Sequence, residues 1–496
     1  MLKVRVVKTG SSANAVQVVR YSSNKRIIVK HFGSCKNGPE LDEMLLVATE
    51  WIKDNSGQLP VFKDGGTSNI LHLDHTELVG AHSTFLFGLI SKVQDQIGLH
   101  ICKSSLLLDL VTIRIIKPAS KLHSIELLET NFNIKHHRQS YYKLAPQWSE
   151  LKEGVESTVV KFAQAHYGFG YDLLFYDVTT LYFEAFEGDT LRKQGFSKDN
   201  KPQQPQIVVA LMVTREGFPV GYQVFPGNTF EGKTFIPSIQ AFIKNQKVDH
   251  FTVIADAAMI SATNVEELRK ANIHYIVGAR LGNAPNELAD QIYKGIQKQD
   301  GKSIRIKTDN GYLICSYSSA RYRKDKHEMK KQIAKAKQAI DKPSKRKKIK
   351  FTKISNEQAE LNSDLIKRTI KLLGVKGYTT DLEETVVPNH IVMERYHELY
   401  RIEQAFRVSK SDLRTRPIFH FKEEPIKLHM LICFMALVTA KQIELKTGAS
   451  IKRFMFECEK IKEAVLLNKI TNKTIKLTSP LNPIVKGYLE SLGIPH

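Results

Sequence analysis

Short runs of alternating hydrophobic and polar positions mark the first 60 or so residues. The runs LKVRVVK, NAVQVVRYS and KRIIVKHFG predict β-strands, and ELDEMLLVATEWI after them has the spacing of an amphipathic helix. Between about residues 80 and 168 the spacing is helical, as in FLFGLISKVQDQIGL and in SKLHSIELLETNF after Pro118. The pattern therefore predicts a small α+β region at 1–75 and a helical region at 76–168.

Residues 169–280 alternate strand-like apolar runs with helical segments. Five strands and two helices are predicted, in chain order, by YDLLFYDVTTLYFE, IVVALMVT, FPVGYQVF, TFIPSIQAFIKNQ (helix), HFTVIAD, SATNVEELRKA (helix) and IHYIVGAR. Only Arg215, Glu216 and Gly217 separate the second strand from the third, which predicts a hairpin. Three strands followed by helix, strand, helix and strand is the order of the ribonuclease-H-like core, a mixed α/β sheet.

Residues 281–388 interrupt that pattern as an insertion that contains β-structure. GKSIRIKTDNGYLICSYS (301–318) predicts a hairpin, RYRKDKHEMKKQIAKAKQAI a basic helix, and KPSKRKKIKFTK (342–353) a basic linker without an acid. Residues 389–446 complete the core, with the helical pattern NHIVMERYHELYRIEQAFRVSKSDL and the apolar packing helix IKLHMLICFMALVTAKQIE. Residues 447–496 form a C-terminal region.

The charge of the chain indicates what kind of partner it binds. Lys and Arg number 73 against 51 Asp and Glu, so the formal net charge is +22. An excess of this size favours a polyanionic partner, nucleic acid first and an anionic membrane second. The region 76–168 is then either an ordinary helical subdomain or a reader of DNA ends. The linker at 342–353 is either a solvated segment or a phosphate contact.

A membrane protein is not predicted. The apolar run LHMLICFMALVTA is shorter than the ~18 to 20 residues that a membrane-spanning helix needs. The N-terminal stretch MLKVRVVKTGSS has no apolar signal region. The five cysteines are scattered without a Cys-x-x-Cys pair, which favours a reducing cytoplasm and gives neither a zinc site nor a disulfide framework.

Three acids occupy positions that chemistry could use. Asp177 lies in the middle of an apolar strand, Asp256 ends the fourth core strand, and Glu403 lies on a helix among basic and aromatic neighbours. A carboxylate is costly to bury unless something pairs with it or coordinates it. If the fold brings the three together, they would suit a pair of Mg²⁺ or Mn²⁺ ions of the kind that supports phosphodiester chemistry.

Two other patterns suggest different chemistry. GNTFEGKT (227–234) satisfies the P-loop pattern, which would make the chain a nucleotidase with Lys233 on the phosphates. Against it, Phe230 and Glu231 are bulky and anionic where such a loop wraps phosphate, and the P-loop interpretation gives Glu403 no role.

The histidines at 397, 420 and 429 lack the spacing of metal ligands and are interpreted as surface or core residues.

The stretch YHELYRIEQAFRVSK resembles the Tyr-x2-Arg-x3-Glu-x6-Lys signature in one branch of the DDE transposases of bacterial insertion sequences. Tyr396, Glu403 and Lys410 stand at its Tyr, Glu and Lys positions, and Leu399 stands where that branch has Arg. Other stretches resemble the same branch in order and spacing from about 171 to 440, with RIIKPASKLHSIELLE upstream. They are YDVTTLYFE, LRKQGFSKDNKPQQPQIVVAL, FPGN, VIADAAMISATN, GYTTDLE, SDLRTRPIFHF and ICFMAL.

The resemblance implies a specific reaction. Asp177, Asp256 and Glu403 would bind two Mg²⁺ or Mn²⁺ ions, and the enzyme would hydrolyse the ends of its element and join the freed 3′-hydroxyls to target DNA. It also implies a homodimer on the inverted-repeat ends, in the bacterial cytoplasm and on the nucleoid when bound to DNA.

The same resemblance assigns end-DNA contacts to Tyr396 and Lys410, and Arg407 lies close by. Tyr396, Glu403 and Lys410 are seven residues apart, so on one helix they would share a face. A catalytically silent DNA-binding derivative of a transposase remains the alternative outside the enzymes.

Overall fold

The structure is a computed structural model, and it describes residues 2–22, 25–36, 38–55, 76–170, 173–185, 187–247, 251–259, 261–309, 311–341, 349–355, 358–469 and 473–495. The chain divides into two compact units. Unit 1 comprises Met1–Phe85 and Glu459–Leu481, and unit 2 comprises Leu86–Cys458 and Asn482–His496. The domain boundaries predicted from the sequence stay predictions.

The described part of unit 1 contains two small antiparallel sheets. The first is the meander β1-β2-β3, and helix α1 packs on it through Ala48 against Val16 and Val18. The second has the order β16-β15-β4, so a strand near the start of the chain pairs with strands near its end. The elements are β1 Leu2–Lys8, β2 Asn14–Ser22, β3 Lys25–Cys35, α1 Pro39–Asn55, β4 Thr76–His82, β15 Glu463–Asn468 and β16 Lys473–Thr478.

The predicted three strands and helix at the N-terminus are confirmed. Thr76–His82, by contrast, forms a strand where the sequence pattern predicted the start of a helical region. Its partner β15 lies far along the chain, so no local pattern could reveal the pairing.

Unit 2 begins with helices, continues into a large mixed sheet and ends with helices. Its helices are α2 Thr84–Ile97, α3 Ser105–Ile116, α4 Lys121–Phe132, α5 Arg138–Ser149, α6 Lys152–Tyr167, α7 Glu231–Gln246, α8 Ala262–Lys270, α9 Asn286–Ile296, α10 Ser319–Asp341, α11 Ser363–Leu372, α12 Asn389–His397, α13 Tyr400–Arg407, α14 Glu423–Thr447, α15 Ile451–Cys458 and α16 Pro483–Ser491. Its strands are β5 Leu173–Tyr182, β6 Gln206–Val213, β7 Pro219–Pro226, β8 Thr252–Ala255, β9 His274–Ala279, β10 Ser303–Thr308, β11 Gly311–Tyr317, β12 Thr352–Ser355, β13 Gln358–Leu361 and β14 Val375–Thr380. A π-helical turn, Val408–Asp412, follows α13 directly.

The central sheet has eight strands in the order β10-β11-β14-β9-β8-β5-β6-β7. Strands β5, β8 and β9 run parallel to one another, and the remaining neighbours are antiparallel. The predicted mixed α/β sheet of ribonuclease-H-like order is confirmed. The predicted hairpin 301–318 also forms, and with β14 it extends the central sheet. Residues 342–348 of the basic linker lie outside the described residues.

Continuous apolar runs explain why the middle of this sheet is buried on both faces. All eight residues of β6 are buried, and β5 is buried except at Asp177 and Tyr182. Helix α14 packs against α3, α5 and β7. Within the described residues it is the one helix long and apolar enough to cross a membrane, but 94% of its apolar window is buried inside the protein. It is therefore a core helix, as the sequence predicted.

Candidate active site

Asp177 is a carboxylate held in an apolar strand. Its Oδ1 accepts a hydrogen bond of 2.7 Å from the backbone N–H of Val178. Burial, helped by the nearby Glu231 and Asp256 carboxylates, raises the pKa of Asp177 to about 6, against the opposing effect of Lys198. The charged form of Asp177 is thus destabilised by its surroundings.

The register of the sheet brings Asp256 beside Asp177. Strands β5 and β8 are parallel with Tyr176 opposite Ala255, so the next residue of each strand is an aspartate. Because side chains alternate between the faces of a sheet, both aspartates emerge on the same face. The Oδ1 of Asp256 accepts hydrogen bonds from the backbone N–H of Ala257 at 2.7 Å and from the hydroxyl of Tyr396 at 3.2 Å.

Glu403 comes from α13, which is not continuous with α12. At the junction the amides of Leu399 and Arg401 bond to the carbonyls three residues earlier, at 3.1 and 3.0 Å, which tightens the chain. Arg215 anchors this junction, since its guanidinium bonds to both oxygens of Glu398 at 3.0 Å. The predicted single helix from Asn389 is therefore wrong in its continuity, because a tertiary ion pair and a buried Leu399 shape the backbone here.

The three predicted acids nevertheless line one open cleft of about 410 Å³. Tyr396 and two lysines face the same space. The lining residues are Asp177, Lys198, Asp256, Lys376, Tyr396, His397, Leu399, Tyr400 and Glu403. Among the residues that the structure describes, no three His, Cys, Asp or Glu side chains are close enough to enclose a single ion. The three acids thus line the cleft but do not converge on a single ion position.

Sequence reasoning missed the two lysines of the cleft. Lys198 Nζ donates to the carbonyl of Val178 at 2.7 Å and lies 2.9 Å from Glu231 Oε1. Lys376 Nζ lies 4.7 Å from the centre of the Tyr396 ring. Both belong to stretches that carry the family resemblance or border it, but nothing local distinguishes them from the many other basic residues.

The predicted DNA contacts Lys410 and Arg407 do not line this cleft. Lys410 lies in the π-helical turn, and its Nζ is 3.4 Å from Asp199 Oδ1. Arg416 contacts the same oxygen at 2.9 Å. Arg407 is exposed on α13. Because the helical geometry changes after α13, Lys410 does not share the face with Tyr396 and Glu403 that one unbroken α-helix would give it.

The GNTFEGKT segment does not have the setting of a P-loop. The strand before it, β7, is the antiparallel edge of the sheet rather than a parallel central strand. Gly227 is committed to the protein itself: its N–H donates to the carbonyl of Leu191 at 3.1 Å, and its carbonyl accepts from Gln206 Nε2 at 2.9 Å. Glu231 of the segment instead pairs with Lys198 at the edge of the cleft.

Comparison with known proteins identifies the family. A family model described as a transposase DDE domain matches residues 168–439, more than half of the chain, and the chain belongs to that family. No curated protein matches. Among solved structures, this chain is similar to a piggyBac transposase in a synaptic complex with hairpin DNA, determined by cryo-EM. The aligned part covers 75% of this chain and 70% of the piggyBac chain, at 10% sequence identity. Its TM-score of 0.37 is too low to support an argument about this chain.

Proposed function

We propose that this chain is the transposase of a bacterial insertion sequence, which cleaves the ends of its element and joins the 3′-hydroxyl ends to target DNA. The observation that carries the proposal is the cleft, which Asp177, Asp256 and Glu403 line from three distant parts of the chain. Membership of the DDE transposase family supports the same reaction class.

The donor set of the cleft fits divalent metal ions. Three carboxylates offer the hard oxygen ligands that Mg²⁺ and Mn²⁺ prefer, and the raised pKa of Asp177 reflects a negative charge that a cation would stabilise. Asp177, Asp256 and Glu403 would together hold two ions. When bound, such a pair activates a water and stabilises the leaving oxygen of a phosphodiester.

The other lining residues have roles that follow from their chemistry. Lys198 and Lys376 supply positive charge that attracts a phosphodiester to the acids, which would otherwise repel it. The Tyr396 hydroxyl fixes one oxygen of Asp256 and so leaves the other for a ligand. Tyr396 also contacts end DNA in this proposal, together with Arg407 and Lys410. Lys410 would exchange its present partner Asp199 for a phosphate.

The partners follow from the reaction. The substrates are the inverted-repeat ends of the element and target DNA, and the formal charge of +22 suits both. Two copies of the chain would hold the two ends, in the cytoplasm and on the nucleoid.

Cleavage of end DNA tests the proposal. Inverted repeats flanking the coding region supply a labelled duplex, which is incubated with Mg²⁺ and the wild-type chain, Asp177→Asn, Asp256→Asn, Glu403→Gln or the matched control Glu187→Gln. Glu187 is an exposed acid in the loop after β5. We expect strand cleavage by the wild type and the control, and none by the three site variants, with DNA binding retained by all five proteins.

Two results would contradict this expectation. Cleavage by any one of the three site variants would remove that acid from the site. A wild-type chain that binds the ends without cutting them in Mg²⁺ or Mn²⁺ would instead identify a catalytically silent DNA-binding protein.

A further inference from the structure

A second cavity in unit 2, of about 280 Å³, is lined by basic side chains. It lies between the segment joining α3 to α4, the segment between the π-helical turn and α14, and α14 itself. None of the described residues that line it is acidic. Its basic and aromatic lining residues are Arg114, Lys121, Arg414, Arg416, Phe419, His420 and His429. We call this cavity the basic pocket.

Two cations of the basic pocket are buried. Lys121 is 4% exposed and Arg114 is 5% exposed. Lys121 Nζ lies 2.7 Å from Nδ1 of His429, and Arg114 Nη2 donates to the carbonyl of Ala119 at 2.8 Å. Within the described residues neither cation forms a salt bridge with a carboxylate. Buried cations without a counter-charge are costly, so the pocket favours an anion.

The titratable groups of the basic pocket repel one another. Burial, and then the Arg114 guanidinium, lower the pKa of Lys121 well below its ordinary value. Burial, and then Lys121 and Arg114, lower the pKa of His420 to about 4, and the same causes lower that of His429. Of the lining residues, Arg416 is paired with a carboxylate, that of Asp199, which also binds Lys410. An anion in the pocket would relieve this repulsion.

We propose that the basic pocket binds a phosphoryl group, supplied by the DNA backbone. The lining favours DNA over a free phosphate, because Phe419 in it is 64% exposed, and Phe421, two residues further along the chain, is 62% exposed. Exposed aromatic rings beside cations are typical of nucleic-acid binding surfaces, where unpaired bases stack on them. The proposal rests on the proposed function in that its ligand is DNA.

The salt dependence of DNA binding tests the proposal. The probes are a mixed-sequence duplex, since phosphate contacts carry no sequence information, and inorganic phosphate. The variants are Lys121→Met inside the pocket and Arg414→Gln at its exposed rim. The matched control is Lys117→Gln, which removes an exposed charge just before the pocket-lining segment. Dissociation constants are measured over a range of salt concentrations.

We expect each pocket variant to bind the duplex more weakly than the wild type and to lower the slope of log K against log salt by about 0.9, the value for one lost phosphate contact. Lys117→Gln should keep the wild-type slope. Inorganic phosphate should raise the melting temperature of the wild type and of Lys117→Gln, but not that of Lys121→Met. Arg414→Gln keeps the test valid if Lys121→Met does not fold.

The outcomes separate the possible sources of the phosphoryl group. Phosphate protection that depends on Lys121, together with unchanged DNA slopes, would support the pocket but assign it to a free phosphate compound. Unchanged slopes and no protection by phosphate would overturn the proposal. These measurements report binding alone, so their outcome does not depend on whether the chain cleaves DNA. Asp177→Asn, which should lose cleavage, should keep the wild-type slope of log K against log salt.

Discussion

The acid-lined cleft and the basic pocket differ in how their charges are compensated. In the cleft, Lys198 and Lys376 stand beside Asp177, Asp256 and Glu403, so positive and negative groups share the space. In the basic pocket, none of the described lining residues is acidic, and Lys121 has a histidine as its partner. The cleft can therefore accept a cation and a phosphodiester together, whereas the pocket is suited to an anion alone.

The difference suggests how ligand sites arise in this fold. Gathering like charges where water is scarce lowers stability in the free protein and raises affinity for a ligand of opposite charge. If both regions follow this rule, removing the destabilised charge from either region should stabilise the free protein. The removal should abolish function only where the charged group contacts the reacting atoms.

The largest expected effect is that of Asp177→Asn on cleavage and on metal-free stability. Cleavage should fall by roughly 10³-fold or more, which corresponds to about 4 kcal/mol. In a chelator at neutral pH, the free energy of unfolding should rise by up to about 3 kcal/mol, because the folded state raises the pKa of this carboxyl from 3.8 to about 6. Urea unfolding measures this change.

The pH dependence gives the sign of that effect. A carboxyl whose folded pKa is raised contributes stability below pH 4 that is lost as the pH rises from about 4 to 6. The stability difference between Asp177→Asn and the wild type should therefore appear above pH 6 and vanish near pH 4. A stability difference between Asp177→Asn and the wild type that does not change with pH would contradict the assigned cause.

A somewhat smaller effect is expected for Lys121→Met in phosphate-free buffer of low ionic strength. Because folding lowers the pKa of Lys121, burying this amine costs stability at neutral pH, and an apolar side chain of similar length avoids that cost. The free energy of unfolding should rise by about 1 to 3 kcal/mol. The matched variant Lys117→Met, on an exposed residue, should change it by less than about 0.5 kcal/mol. Destabilisation by Lys121→Met would show that the amine is adequately paired as it is.

Binding of Mg²⁺ should distinguish the cleft from the basic pocket, through a smaller change in the free energy of unfolding. At about ten times its dissociation constant, Mg²⁺ should stabilise the wild type by about 1.4 kcal/mol in thermal or urea unfolding. Lys121→Met should keep this response, and Asp177→Asn should lose most of it. An equal response from all three proteins would place the Mg²⁺ site elsewhere.

The smallest effect is expected for Tyr396→Phe, which removes the 3.2 Å hydrogen bond to Asp256. One neutral-to-charged hydrogen bond at a half-open site is worth about 1 kcal/mol, so if it positions Asp256 for the reaction, cleavage should fall roughly fivefold. Tyr400→Phe, on the same cleft, is the matched control and should cleave at close to the wild-type rate. Equal rates for the two variants would mean that the Asp256 contact is not used.

The central sheet could be predicted because its information is local. Strand β5 is marked by an unbroken apolar run, and Asp177 stands out in it because a carboxylate there is costly. The turn at Arg215 and Gly217 identified the β6-β7 hairpin in the same way. These features depend on a few consecutive residues, so the pattern of the sequence contains them.

The rest depends on contacts between distant parts of the chain. The break between α12 and α13 follows from Arg215 binding Glu398, and the sequence around Leu399 is helical in composition. Lys198 and Lys376 become site residues only through the sheet that places them. Lys121 and His429 meet across some 300 residues, so the basic pocket has no local signature.

The sheet β16-β15-β4 has a consequence for the order in which the protein is made. Strand β4 emerges from the ribosome early, and its partner β15 is translated only after the whole of the transposase domain. The pairing of β4 therefore cannot form until β15 has been made, whereas every strand of the central sheet has been made before β15 appears. A nascent chain stalled before residue 463 should contain the central sheet and lack the β4 pairing. The order of the strands along the chain therefore leaves β4 unpaired while the transposase domain is being synthesised.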